Sequence, residues 1–362
     1  MKIAFRVVAS TQIGAGHVMR CLTLANQLVS LGHRCWFLSR EHPGNLNDLI
    51  SSNGHYLLRL EAHESDTNLA SVAAGEYAHR LGASWQEDVR QTIDAILPVK
   101  PDCLVVDHYA LDARWEQGVS SVVGEIFVVD DLANRPHVCS VLLDQNLGRV
   151  PSDYNSFLPP ESQRLIGPKF ALLRPEFAVA RKVSLERRKN VALRRILVSM
   201  GGVDQHNITS RVLDLLKVSQ LPADTELDIV VGATSPHLED ICNRADDLSY
   251  KTTVSVNVKN MAERMCQADL SIGAAGGTSW ERACLGLPAI VFVLEANQYA
   301  IAGALEVAGA AIVINGNEKE MPKIIAEILK FGRLKQLSES ARKITDGYGA
   351  LRVARAVEVL GS

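Results

Sequence analysis

Short, continuously apolar runs rich in β-branched residues recur along the chain, and they constrain its fold more than any other feature. The first set is Ile3–Val8, Cys35–Leu38, Cys103–Val106, Ile126–Val129 and Val141–Leu143. A second set follows at Ile196–Ser199, Leu227–Val231, Leu270–Ile272, Ala289–Val293 and Ala311–Ile314. Strands that are apolar throughout, rather than on alternate positions, are covered on both faces. Amphipathic stretches lie between them. In Val18–Leu31, residues Met19, Leu22, Ala25 and Leu28-Val29 share one helical face, and Gly32 follows as a C′ glycine would. Strands alternating with such helices specify parallel sheets with helices on both sides.

The pattern occurs twice, and 362 residues fit two domains at roughly 100–200 residues each. The expected class is α/β, with two doubly wound, Rossmann-like parallel-sheet domains and a cleft between them. The N-terminal domain with its linker spans 1–180 and the C-terminal domain 181–362, with the helical segment Lys335–Leu360 crossing back onto the first. Residues Glu61–Trp85 have weak periodicity and read as an extended loop or insertion. The basic segment Arg181–Arg195 reads either as an anion site or, more simply, as a solvated helix surface.

Composition removes several classes. The chain is 47% hydrophobic and 22% charged, ordinary for a globular protein. Its net charge of −3 excludes a globally basic nucleic-acid binder. The seven cysteines contain no C-x-x-C pair, which argues against a structural zinc site and a disulfide framework. No signal-like leader is visible. The most apolar stretch, Ala289–Ile314, is broken by Glu295, Asn297, Gln298 and Glu306 and does not read as a membrane span. A cytoplasmic enzyme is expected.

Ligands of open parallel sheets bind at the carboxyl ends of the strands, so the polar residues after each run carry the functional reading. Gln12-Ile13-Gly14-Ala15-Gly16-His17-Val18-Met19-Arg20 follows the first run and opens the first helix. Its glycines let backbone approach a ligand, but Met19 stands where a dinucleotide fingerprint has its third glycine. His17 in the first turn is a candidate general base, or a packed histidine. Asp107-His108-Tyr109 and Asp130-Asp131 each end a strand. The latter pair reads as a metal or shared-proton site, or as helix caps and loop structure. Met200-Gly201-Gly202-Val203-Asp204 repeats the first loop in the second half, as a phosphate site or a tight turn.

Gly273-Ala274-Ala275-Gly276-Gly277-Thr278-Ser279-Trp280-Glu281 is the strongest local signal. Backbone amides and hydroxyls after a strand suit a diphosphate, and Glu281 can accept both hydroxyls of a ribose. Glu295-Ala296-Asn297-Gln298 offers amides to a sugar, or caps a helix. No Walker A, H-E-x-x-H or G-x-S-x-G motif is present.

In this order the motifs resemble a known family. They are Phe5-Arg6, Gln12-Ile13-Gly14-x-Gly16-His17-x-x-Arg20, Asp107-His108-Tyr109, Asp144-Gln145-Asn146 and Ala171-Leu172-Leu173-Arg174-x-Glu176-Phe177. Ser199-Met200-Gly201-Gly202-x-Asp204, Thr278-Ser279-Trp280-Glu281 and Asn297-Gln298 complete the set. The chain is similar over nearly its whole length to the UDP-2,4-diacetamido-2,4,6-trideoxy-β-L-altropyranose hydrolases of pseudaminic acid biosynthesis. These are relatives of the GT-B glycosyltransferase that adds N-acetylglucosamine to lipid I. The family often has a Gly-Gly-Ser-Thr type run where this chain reads Ala275-Gly276-Gly277-Thr278, and loss of one hydroxyl would alter a phosphate contact without removing the backbone site.

The resemblance implies a GT-B architecture and an inverting, metal-independent UDP-sugar hydrolase that serves flagellin or surface-glycan modification. It implies His17 as the general base. Gly14, Gly16, Arg20, Tyr109, Arg174, Asn297 and Gln298 would contact substrate. Gly201, Gly202, Asp204, Gly276, Gly277, Thr278, Ser279 and Glu281 would hold UDP. The expected partner is a UDP-sugar, with no nucleic acid or membrane, and the protein is expected to be a monomer. A GT-B glycosyltransferase using the same donor is the main alternative. A non-catalytic nucleotide-sugar binder and a UDP-sugar 2-epimerase are further ones.

Overall fold

The computed structural model describes residues 1–11, 13–61, 77–190, 192–233 and 235–361. Gln12 of the first motif, and 62–76 of the expected loop, lie outside them. The chain divides into two compact units, Met1–Leu172 with Gly349–Ser362 and Leu173–Tyr348.

The first unit contains β1 (Lys2–Val7), α1 (Gly16–Ser30), β2 (Arg34–Arg40), α2 (Asn47–Ser52), β3 (Tyr56–Leu60) and α3 (Trp85–Ile96). It continues with β4 (Cys103–Asp107), α4 (Ala113–Val119), β5 (Glu125–Val129), β6 (Val141–Asp144) and β7 (Gln163–Ile166). The sheet order is β3-β2-β1-β4-β5-β6-β7, and every neighbouring pair is parallel.

Alternation along β1 divides its side chains between two buried layers. Ile3, Phe5 and Val7 pack with Leu24 and Leu28 of α1 and with Val353 and Val357 of the last helix, Gly349–Leu360. Ala4 faces the opposite layer with Leu104, Trp115, Leu142 and Tyr154. Arg6 has the same parity as Ala4 and is fully buried. Burial of a guanidinium requires a paired carboxylate. Asp88 of α3 supplies it, accepting from Arg6 Nε and Nη2 at 3.1 and 2.6 Å, from Arg40 Nη2 at 2.7 Å and from Trp115 Nε1 at 2.9 Å.

The second unit opens with α5 (Pro175–Arg187), β8 (Arg195–Ser199), α6 (Ile208–Lys217), β9 (Glu226–Val231), α7 (Leu238–Asp246) and β10 (Lys251–Val256). Next come α8 (Met261–Gln267), β11 (Leu270–Ala274), α9 (Thr278–Cys284), β12 (Ala289–Phe292), α10 (Gln298–Val307) and β13 (Ala311–Ile314). Helices α11 (Met321–Lys330) and α12 (Arg333–Ala341) close it. The order is β10-β9-β8-β11-β12-β13, again all parallel. Its core includes Ile196, Val198, Leu213, Ile229, Ile272, Ile290 and Ile325.

Much of the basic segment Arg181–Arg195 braces this unit from within. Arg188 Nη2 donates to the Met265 and Ala268 carbonyls at 2.8 Å each, closing the C-terminal end of α8. Arg187 pairs with Asp269 at 2.6 Å and Arg195 with Glu226 at 2.8 Å.

In both sheets the order of the strands reverses once, between β1 and β4 and between β8 and β11, while all strands stay parallel. Loops leaving adjacent strands on opposite faces part at such a point and open a crevice. The His17 loop and Asp107 lie at the first reversal. The Gly201-Gly202 loop and the Gly276-Gly277 loop lie at the second.

Candidate active site

In the first unit, α1 starts at Gly16 with Ala15 before it, no side-chain cap and no acidic residue in its first turn. Gly14 has φ 81°, a left-handed conformation that favours glycine, and its N–H donates to the Ser10 carbonyl at 2.8 Å. Among the described residues, no atom beyond the chain neighbours and the helix's own backbone lies within 4 Å of where a Cβ on Gly14 or Gly16 would sit. The backbone ahead of His17 is therefore open to a ligand.

His17 is buried, and its Nδ1 lies 2.6 Å from Oδ1 of Asp107, the last residue of β4. Burial works against charge on Asp107, but Arg20 and His17 overcome it and hold the carboxyl far below the usual range. An ionised carboxylate only accepts, so Nδ1 carries a proton, and in the neutral ring Nε2 presents the lone pair. That is the tautomer a base requires.

Arg20 lies one turn further along α1. It donates to both oxygens of Asp107, Nε to Oδ2 at 2.6 Å and Nη2 to Oδ1 at 2.7 Å. Its Nη1 reaches Asp131 Oδ2 at 2.7 Å. The Tyr109 hydroxyl donates to the same oxygen at 2.8 Å, and its ring stands edge-on to His17 with centroids 4.6 Å apart. His17, Arg20 and Tyr109 thus come together. The histidine between Asp107 and Tyr109 does not join them: His108 is buried, with Nδ1 accepting from the Ala110 N–H at 3.0 Å.

Asp107 and Asp131 were legible only as strand-end carboxylates. Asp130 and Asp131 do not act as a pair, because adjacent residues diverge into separate networks. Asp130 accepts from Arg135 at 2.7 Å, the Ala133 N–H at 2.8 Å and the Tyr154 hydroxyl at 2.9 Å. Among the described residues, no three His, Cys, Asp or Glu side chains gather as a metal site.

In the second unit, Gly201 has φ 98°, and among the described residues Cβ positions on Gly201, Gly202 and Gly277 meet no atom within 4 Å beyond their chain neighbours. A Cβ on Gly276 would meet only Gln298 Nε2, at 3.9 Å. Gly232 lies in no recognisable motif, yet a Cβ there would fall 1.7 Å from the Gly202 carbonyl oxygen. Only a glycine after β9 lets that backbone lie against the Gly201-Gly202 loop.

Asp204, expected among the nucleotide contacts, commits both oxygens to capping α6. They accept from the Ile208 and Thr209 N–H groups at 2.8 and 2.9 Å. Ser279 is also turned inward, its hydroxyl accepting from Arg282 Nη2 at 2.9 Å. Arg282, another residue the motifs did not single out, is buried and donates to the Ala274 carbonyl at 2.6 Å. It ties the end of β11 to the first turn of α9, and burial draws its guanidinium down to about 10. Thr278 opens α9 and is half-buried.

Glu281 faces Arg174 at 3.6 Å, and Arg174 also pairs with Glu176 at 3.1 Å. Burial raises the Glu281 carboxyl above its usual value, with Arg174 and Arg282 opposing. Gln298 Oε1 accepts from the Leu294 N–H at 3.0 Å, while Asn297 is exposed at the start of α10.

Comparisons with known proteins agree with this division. Residues 195–351 match the glycosyltransferase family 28 C-terminal domain. The chain is 25% identical over 295 residues to protein MJ1062 of Methanocaldococcus jannaschii, covering 80% of this chain but only 55% of that protein. It is 25% identical over 275 residues to the UDP-2,4-diacetamido-2,4,6-trideoxy-beta-L-altropyranose hydrolase of Campylobacter jejuni, covering 76% of this chain and 85% of the relative. Among solved structures, Acinetobacter baumannii MurG superposes with a TM-score of 0.73 at 17% identity, over 99% of this chain and 100% of that one. The fold is that of the GT-B glycosyltransferases, with two parallel-sheet units. Within that class the chain is similar, at 25% identity, to a sugar-nucleotide hydrolase, and its residues 195–351 are similar to the family 28 C-terminal domain. No helix among the described residues is long and apolar enough to cross a membrane.

Proposed function

We propose that the protein hydrolyses the anomeric C1–O bond of UDP-2,4-diacetamido-2,4,6-trideoxy-β-L-altropyranose, with inversion at C1, as a step toward pseudaminic acid. The observation that carries this reading is the His17–Asp107 pair, which leaves a bare Nε2 on a histidine at the sheet's reversal point. Water gives its proton to Nε2 while its oxygen bonds to C1. The electrons of the C1–O bond leave with UDP. A base so placed contributes roughly 10²–10⁴-fold. The transition state is oxocarbenium-like, and Asp107 stabilises the imidazolium as it forms.

In the second unit, the backbone of the Gly201-Gly202 and Gly276–Ser279 loops would meet the diphosphate. Glu281 and Arg174 would hold the nucleoside, with Glu281 on the ribose. UDP is a competent leaving group when preorganised donors meet its developing charge, so the step needs no acid. Tyr109 and Asn297 would contact the sugar. In this reading the protein acts in the cytoplasm, as a monomer, without a metal or cofactor.

The second reading is transfer of the sugar from UDP to an acceptor. The family 28 match and the MurG-like fold favour it. One experiment separates the two. The protein is incubated with the UDP-sugar in ¹⁸O-water without an acceptor. Hydrolysis at C1 puts the label on the free sugar. Label on UDP would mean P–O cleavage and overturn the mechanism, and turnover only with an added acceptor would establish transfer.

A further inference from the structure

Five residues of the first unit close a ring. His17 Nδ1 meets Asp107 at 2.6 Å, Asp107 meets Arg20 at 2.6 Å, Arg20 meets Asp131 at 2.7 Å, and Asp131 meets the Tyr109 hydroxyl at 2.8 Å. The Tyr109 ring then stands edge-on to His17. Asp131 also accepts from Asn146 Nδ2 at 3.2 Å. Its carboxylate therefore gathers donors from three separate segments, α1, the loop after β4 and the loop after β6.

We propose that Asp131 is a positioning residue for the base, fixing the His17 ring through Arg20 and Asp107 on one side and through Tyr109 on the other. This rests on the reading of His17 as the base. Asp131 does not itself touch the imidazole. It holds Arg20 so that the guanidinium is shared between two carboxylates. Without Asp131, Arg20 belongs to Asp107 alone and competes with His17 Nδ1 for the oxygen that both already contact, Oδ1. The Tyr109 hydroxyl loses Asp131 as an acceptor at the same time, which loosens the ring that walls the imidazole. Both changes loosen the same side chain, so one carboxylate outside the base pair controls the orientation and tautomer of the base.

The test is Asp131→Asn in the full chain, read by steady-state kinetics and by ¹⁵N NMR of the His17 ring, assigned with a His17→Gln sample. An asparagine offers one acceptor where Arg20, Tyr109 and Asn146 present three donors. The expected result is a fall in kcat for UDP release of about tenfold to a hundredfold, with KM within about threefold. In the same variant the His17 ring loses the single Nδ1–H pattern expected of the wild type and shows both tautomers. Asp131→Glu, which keeps the charge, recovers part of kcat. A wild-type tautomer pattern in Asp131→Asn, or kcat within about twofold of wild type, overturns the proposal. Should Asp131→Asn fail to fold, Tyr109→Phe and Asn146→Ala each remove one of the three donors and are read the same way. If the wild type releases no UDP from the sugar nucleotide in water, the hydrolase reading fails. The tautomer pattern then still decides the role of Asp131.

Discussion

Asp107→Asn tests the base assignment most severely, because it changes one atom and leaves the shape intact. Both oxygens of Asp107 accept from Arg20, Oδ2 from Nε at 2.6 Å and Oδ1 from Nη2 at 2.7 Å, and Oδ1 also accepts from His17 Nδ1 at 2.6 Å. An amide has one acceptor and one donor end, so either orientation turns its NH₂ toward an Arg20 N–H. With the NH₂ at the Oδ2 position, nothing is gained. With the NH₂ at the Oδ1 position, it donates to His17 Nδ1, a gain of about 1 kcal/mol. That second orientation moves the histidine proton to Nε2 and blocks the base. The charge that stabilises the imidazolium is lost in either case. The equivalent change in the serine-protease triad costs roughly 10⁴ in kcat. Here a loss of about 10²–10⁴ is expected, or about 3–5 kcal/mol of transition-state stabilisation. The unmatched Arg20 donor should also lower stability by about 1–3 kcal/mol. UDP release at saturating sugar nucleotide and a urea melt measure the two effects separately. A variant with kcat within about threefold of wild type and an unchanged melt would refute the dyad.

Three further outcomes follow from the same geometry. Asp88→Leu leaves Arg6 and Arg40 buried without a carboxylate and should lose about 3–5 kcal/mol in urea unfolding, and a loss below 1 kcal/mol would show the cluster is unimportant. Burial alone would raise Asp88, but Arg6 and Arg40 hold it at about 2, so its contribution is present above about pH 4 and lost as pH falls toward 2. Asp144 behaves oppositely. Burial and then Asp131 push it to about 7 although Arg149 lies 3.3 Å away, and the Tyr154 hydroxyl oxygen, with one proton to give, lies 2.9 Å from both Asp130 and Asp144, which fits a neutral acid at 144. A folded value above the unfolded one, near 3.9, means stability declines between about pH 4 and pH 7, by up to about 4 kcal/mol. Asp144→Asn should flatten that decline in urea melts across pH, and an unaltered slope would contradict the assignment. Glu281→Gln should weaken UDP binding by roughly tenfold to a hundredfold in calorimetry if the carboxylate takes the ribose hydroxyls, and an unchanged Kd would remove it from the nucleotide site.

What the sequence disclosed follows the burial of each element. Strands covered on both faces were readable as unbroken apolar runs. Three of the four edge strands were not: β3 reads Tyr-Leu-Leu-Arg-Leu, β7 Gln-Arg-Leu-Ile and β10 Lys-Thr-Thr-Val-Ser-Val, each partly exposed. An edge strand meets water along one side, so a pattern that looks for continuous apolar residues passes over it. Arg6 shows the converse. A charge inside the run Ile3–Val8 carries no local sign of its role, because its partner Asp88 is 82 residues away, beyond any local pattern.

The same limit governs the site. Gly14, Gly16, His17 and the glycines after β8 and β11 sit in one local segment each and were legible there. Asp131 and Gly232 act across the sheet, on α1 and on the Gly201-Gly202 loop, and only the strand order brings them into play. Asp204 was misleading for a related reason. The sequence put a carboxylate beside two glycines, where a ligand contact and a helix cap look alike, and the two amide bonds from α6 decide for the cap.

Alternation in β1 and β4 also separates charge across the first sheet, which explains where base chemistry can arise. On the layer of α3, Arg6 and Arg40 face one carboxylate, Asp88. On the layer of α1, Asp107 and Asp131 share one guanidinium, Arg20. The negative excess therefore lies on the side that carries His17. A cation forming on that imidazole is stabilised there, whereas beside Arg6 and Arg40 it would be opposed. His108 illustrates the second environment: burial and then Arg6 hold it well below the usual histidine range, neutral and hydrogen-bonded to backbone. Two histidines, His17 and His108, thus meet opposite charge because Asp107 at the end of β4 and His108 just after it point to opposite layers. Exchanging the charge excess, by Asp131→Asn on one face and Arg40→Met on the other, should impair UDP release in the first variant and leave it near wild type in the second.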